Sequence, residues 1–243
     1  FKIFVFMRTK YATTLRESLA KTQPRNLFFI RPRRFGKSIF LSMLYSYYDC
    51  TQSHKFQSLF GNLWIGQHPT PLQGKYQVLF LDFSQITGNI DKLETKFNSY
   101  LSINLDAFVR QYSEYYQAEM EEILAQEDFE EKMELIFKAA KAHQYHLYLI
   151  IDEYDNFTNV ILNERGENVY HAITHADGFY RDVFKKFKGN FERIFMMGPQ
   201  DRLAYYRFLY VTVSSPLTCD WLRFSRMRIS AISRCILCFL SPN

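Results

Sequence analysis

Two short groups of residues have the types and order to do chemistry: Gly36-Lys37-Ser38 and Asp152-Glu153. A glycine lets the backbone turn tightly and aim its amide at an anion. The lysine after it sets an ammonium against phosphate oxygens, and the serine hydroxyl suits a divalent cation such as Mg2+. Arg31-Pro-Arg-Arg-Phe-Gly36-Lys37-Ser38 has the length of a G-x-x-x-x-G-K-[ST] phosphate loop, with Arg31 where the first glycine belongs. Arg33 and Arg34 make this loop basic. With Phe35, Gly36, Lys37 and Ser38 they form the candidate nucleotide-binding set.

Phosphoryl transfer also needs a carboxylate at the end of a second strand. Leu149-Ile-Ile-Asp152-Glu153 has that form: apolar residues, then two acids. Asp152 would hold Mg2+ together with Ser38, directly or through water. Glu153 would orient and deprotonate the attacking water as a general base, so Lys37 and Glu153 are the candidate catalytic pair. Neighbouring residues on a strand point to opposite faces, so separate roles are geometrically sensible. Each motif alone has a plainer reading, a solvated basic turn or an acidic strand end. Their occurrence in one chain makes ATP and Mg2+ the expected ligands.

The elements around these motifs can be read from hydrophobic pattern. Asn26-Leu-Phe-Phe-Ile30 is a short buried strand leading into the loop. A helix is expected from Lys37 to Asp49, with Ile39, Phe40, Met43, Leu44 and Tyr47 facing inward. A further helix is expected over 11–22. Residues 50–75 read as irregular, punctuated by Gly61, Gly66, Pro69, Pro71 and Gly74. Tyr76–Phe83 is a second strand, ending in Asp82-Phe-Ser84. Asp82 is expected to form a turn with Ser84, or else to line the same crevice as Asp152. Residues 91–118 read as one long helix with Leu93, Phe97, Leu101, Leu105 and Phe108 inward. Another helix covers 128–143, with Phe129, Met133, Ile136 and Phe137 inward. Leu147–Ile151 is a third strand, followed closely by Asp155, which could support Asp152; 156–168 is a loop and 169–187 a helix. Phe191–Met197 is a fourth strand and Phe208–Val213 a possible fifth. Strands alternating with helices predict an α/β fold with a mainly parallel sheet.

Composition narrows the class. Hydrophobic residues make up 47% and aromatics 18%, which excludes a disordered chain and predicts a substantial core. The net charge of +5 permits anionic ligands without demanding nucleic acid. No run reaches the roughly 18–20 apolar residues of a membrane span. Phe1–Met7 is too short for a secretory leader, and the chain starts without Met, as a fragment would; a cytoplasmic location and no membrane partner are expected. Cys235-Ile-Leu-Cys238 lacks a second ligand pair, so Cys50, Cys219, Cys235 and Cys238 read as reduced thiols, not a zinc site.

Phe28–Leu44, with its Arg-Pro-Arg-Arg-Phe-Gly-Lys-Ser core, resembles the hallmark of the bacterial AAA-ATPase-like family, in which it stands in for an ordinary Walker A motif. Leu59-Phe60 with Ile65, the Tyr76–Ser84 strand and Leu149-Ile-Ile-Asp-Glu-Tyr-Asp155 extend the likeness. Thr9-Lys10-Tyr11 resembles part of the family's N-terminal segment, with Arg8 and Met7 departing from it. The resemblance covers roughly 6–198. It implies an ASCE-type P-loop NTPase, a three-layer α/β/α fold, ATP with Mg2+ and a bacterial cytosolic protein. Many members carry a C-terminal PD-(D/E)XK nuclease-like domain, which does not carry over to this chain; nucleic acid enters only by that analogy.

The likeness sets the domain boundaries: 1–198 as the AAA-ATPase-like domain and 199–243 as a divergent tail. That tail has six Arg and two Asp but no Lys or Glu, and it holds Cys219, Cys235 and Cys238. Its composition fits either an out-of-frame or truncated end or a genuine divergent tail. The family's polar sensor residue would fall at Met197, which cannot hydrogen-bond phosphate usefully; Thr212 is the alternative. Two functions therefore stay open: a Mg2+-dependent ATPase, or a nucleotide-binding regulatory module with little turnover. What the ATP drives, the protein partner and the oligomeric state are not legible.

Overall fold

The computed structural model describes residues 26–31, 37–86, 92–154 and 179–199. The expected helix at 11–22, the loop residues Arg33, Arg34, Phe35 and Gly36, Asp155, the 156–168 loop, the possible strand at 208–213 and the tail lie outside the described residues. Two compact units are present. One takes in 26–53 and 72–199 and holds the sheet; the other includes 54–71, with short helices α2 (Phe56–Phe60) and α3 (Trp64–Gln67) in a stretch expected to be irregular.

The first unit is built on β1 (Asn26–Arg31), β2 (Tyr76–Asp82), β3 (His146–Asp152) and β4 (Arg193–Pro199). All pairings are parallel, and the order is β1-β4-β3-β2. The last of the described strands thus sits between β1 and β3. The strands are apolar because both faces are covered, as parallel sheets require. One face packs on α1 (Lys37–Tyr48), through Leu41 against Val78, Tyr148, Ile150, Phe195 and Met197. The other packs on α4 (Leu93–Gln111), α6 (Phe129–His143) and α7 (Phe179–Asn190). The result is the expected three-layer α/β/α arrangement.

The inward stripe of α4 is as the sequence implies: Leu93, Phe97, Leu101, Leu105 and Phe108 are all buried. Phe97 is wholly buried, with ring centroids 5.5 Å from Phe83, 5.7 Å from Phe179 and 5.7 Å from Tyr180. It joins α4 and α7 at the end of β2. Phe97→Ala is expected to destabilise the chain by about 3–5 kcal/mol, read from the denaturant midpoint.

Two helices depart from expectation. The long helix stops at Gln111 rather than running to 118, and turns lead into α5 (Met120–Ala125). Tyr112 caps it, and the Tyr112 and Tyr116 hydroxyls donate to the buried Asp49 and Gln77. Serine and tyrosine are weaker helix formers than the residues before them, so these partners set the ending. In α1, Leu41 and Tyr47 are buried, whereas Ile39, expected inward, is 54% exposed. The helix is rotated so that Lys37 and Leu41, one turn apart, face the sheet. Asp49 fixes the far end of α1, accepting from Thr51 N at 2.7 Å, from Gln111 Nε2 at 3.3 Å and from Tyr112.

Candidate functional site at the carboxyl end of the sheet

Strand alternation decides what reaches the site. Along β3, Leu149 and Ile151 point to the layer of α4, α6 and α7, while Tyr148 and Ile150 point to α1. Asp152 continues the second series and lies on the α1 face. Along β2, Val78 and Phe80 share that face, so Asp82 falls there too. Asp82 and Asp152 are directly paired in register. The carboxyl ends of β2 and β3 therefore present two carboxylates side by side on the helix α1 face.

Lys37 opens α1 from that same side and is only 9% exposed. β1 and β3 are separated by β4, a gap of about 10 Å at the usual strand spacing. A lysine and a glutamate reaching toward each other span such a gap. Lys37 Nζ lies 2.8 Å from Glu153 Oε1, a charge contact between a buried ammonium and a mostly buried carboxylate. The contact lacks hydrogen-bond geometry, and Lys37 Nζ has no hydrogen-bond partner among the described residues. A buried ammonium whose contact among the described residues is a single carboxylate oxygen keeps donors for an anionic ligand.

The backbone here is held firmly. Glu153 has φ 49°, a left-handed conformation uncommon for a side chain of this size. Its N–H donates to Asp152 Oδ1 at 2.9 Å. The next residue is tied on both sides: Tyr154 N–H donates to the Met197 carbonyl at 3.4 Å, and Tyr180 Oη–H donates to the Tyr154 carbonyl at 3.0 Å. Asp82 Oδ1 accepts from Ser84 N at 3.0 Å, the expected turn, and Asp82 N–H donates to Tyr100 Oη at 2.7 Å. Asp82 thus serves its turn and also stands beside Asp152 in register.

Burial pushes the Asp152 carboxyl up to about 6. The Glu153 N–H opposes this, the charges of Glu153 and Asp82 add to it, and the Lys37 ammonium again opposes it. The fold consequently binds a proton that the unfolded chain has already released. Its stabilising contribution is complete below about pH 4 and is lost as pH rises through about 6. Asp152→Asn is therefore expected to be more stable than the wild type at pH 7.5, by on the order of 2 kcal/mol. Denaturant titrations at both pH values check it: the gap should close near pH 4.

Ser38 follows Lys37 on the exposed side of the first turn of α1, and no hydrogen bond joins it to Asp152 among the described residues. Met197, where a polar sensor residue is expected, is wholly buried in the apolar cluster on the α1 face. The structure therefore gathers Lys37, Asp152 and Glu153, adds Asp82, and leaves Arg33, Arg34, Phe35 and Gly36 undescribed. Sequence reasoning missed the Tyr100 and Tyr180 braces, for which no local spacing gives a signal. Among the described residues no cluster of three or more His, Cys, Asp or Glu is arranged to hold a metal. A cation here would need oxygens from its ligand or from water, as Mg2+ sites on phosphates commonly do.

A family model described as a predicted AAA-ATPase matches residues 6–200. The chain belongs to that family. The match spans every described residue, including both candidate motifs. Comparison with curated proteins and with solved structures finds no match. The AAA-ATPase-like family implies a nucleotide-binding ATPase, and the parallel α/β sheet agrees with a P-loop NTPase fold. No described helix is long and apolar enough to cross a membrane.

Proposed function

We propose that the chain is a Mg2+-dependent ATPase acting at the carboxyl end of β1 and β3. The observation that carries this reading is the convergence of buried Lys37 with Asp152 and Glu153 across the inserted strand β4. Lys37 would receive the β- and γ-phosphate oxygens. Asp152 and Ser38 would hold Mg2+, which when bound neutralises phosphate charge. Arg33, Arg34, Phe35 and Gly36 would wrap the phosphates, and the N-terminus of α1 would add its dipole. Glu153 would hold the attacking water and take its proton. The protein's share of the chemistry is positional and electrostatic, as phosphoryl transfer demands.

The family membership and the parallel sheet support this reading at a coarse level. The test is stoichiometric formation of ADP and phosphate from ATP by the purified chain. Expected is turnover that rises with added magnesium and drops to background on chelation; turnover indifferent to magnesium rejects the proposal. A second reading rests on Met197, whose apolar, buried side chain offers nothing to a phosphate or water. On that reading the chain binds ATP and turns it over negligibly, serving as a regulatory module. Recovery of bound ATP intact after prolonged incubation selects it.

A further inference from the structure

We propose that Glu153 is an internal competitor for Lys37, so that a polyphosphate must displace its carboxylate before engaging the lysine. This rests on the reading of the site as a nucleotide site. Each residue has a task elsewhere in that reading, Lys37 on phosphate and Glu153 on water. In the structure they instead hold each other at 2.8 Å. The side-chain exposures are 8% for Lys37 and 31% for Glu153, so the pair is partly withdrawn from water and its attraction is weakly screened. A phosphate oxygen and Glu153 Oε1 would compete for the same ammonium.

The backbone supports the contact. A left-handed non-glycine residue is strained and persists when its surroundings over-determine it. Here they do: Asp152 Oδ1 takes the Glu153 N–H, and Tyr154 is fixed by Met197 and Tyr180. Glu153 is thus aimed, and its carboxylate stands as a built rival to a ligand. The rivalry weakens every ligand that uses Lys37 and leaves untouched a ligand that does not. Among ligands that use Lys37 it sets a threshold, met only by those that carry enough charge to exchange with a carboxylate.

The test uses Glu153→Gln and Glu153→Asp in the full chain, with thermal midpoints showing that both fold. Gln removes the charge. Asp keeps it but is one methylene shorter, which breaks the 2.8 Å contact. Calorimetric titration with magnesium and a non-hydrolysable ATP analogue is compared with titration with AMP. Expected is at least tenfold tighter analogue binding in both variants, with AMP binding within twofold of the wild type. Analogue affinity unchanged in Glu153→Asp overturns the inference, since charge alone would then account for any effect of Gln. Equal tightening for AMP also overturns it. Binding in the variants but not in the wild type supports it in its strongest form. Absence of analogue binding in the wild type and both variants overturns the nucleotide-site reading itself, and the inference with it.

Discussion

Lys37→Ala is expected to lower kcat/KM for ATP with magnesium by about 10²–10³-fold, the cost of removing one preorganised charge from developing phosphoryl charge. Burial makes the effect large. Lys37 Nζ is withdrawn from water, and its partner among the described residues is the Glu153 carboxylate, so an anion that displaces Glu153 meets a weakly screened charge. The same substitution removes the partner of Glu153 and leaves a mostly buried carboxylate without its cation. Breaking a buried pair on one side is costly to the fold, so activity and unfolding must be measured together. Lys37→Met retains much of the apolar stem and separates the two effects. Equal loss of activity in the Ala and Met variants, with a smaller loss of stability in Met, assigns the catalytic effect to the charge.

The second large effect belongs to Glu153. Glu153→Gln is expected to reduce turnover by about 10²–10⁴-fold, the usual range for loss of a general base. Unlike Lys37→Ala it should not weaken nucleotide binding. A single-turnover assay with enzyme in excess makes the distinction: the variant should bind ATP and retain it uncleaved. A variant that hydrolyses ATP at the wild-type rate would show that Glu153 does not handle the attacking water.

The sequence makes much of this arrangement legible, for identifiable reasons. Leu93 to Phe108 repeats at helical spacing, so one face of α4 had to be buried, and it is. The apolar runs Tyr76–Leu81 and Leu147–Ile151 are too short for helices and continuous enough for a sheet covered on both faces, which is where they lie. Gly36-Lys37-Ser38 and Asp152-Glu153 stood out because their order along the chain matches a local chemical requirement. Of these residues, the structure brings Lys37, Asp152 and Glu153 together.

What was hidden depends on tertiary pairing. The spacing of α1 puts Lys37 on the face of Leu41, one turn away, but does not say that this face rather than that of Ile39 meets the sheet, because the pattern Ile39-Phe40-Leu41 is apolar on several sides. The insertion of β4 between β1 and β3 was not read from the order of elements, yet it sets the gap that Lys37 and Glu153 bridge. The pairing of Asp82 with Asp152 depends on register, and a slip of one residue would send one of them to the opposite face. The early end of α4 follows from Tyr112 and Tyr116 meeting Asp49 and Gln77, partners 63 and 39 residues away.

The central claim is that one site, formed by Lys37, Asp152 and Glu153, both binds and cleaves ATP. Its most direct test is phosphate release from ATP and magnesium by the wild type, Lys37→Ala and Glu153→Gln, at equal folded concentration. Expected is release by the wild type and near-background release by both variants, with ATP still bound in Glu153→Gln and lost in Lys37→Ala. Release at the same rate by all three chains would contradict it.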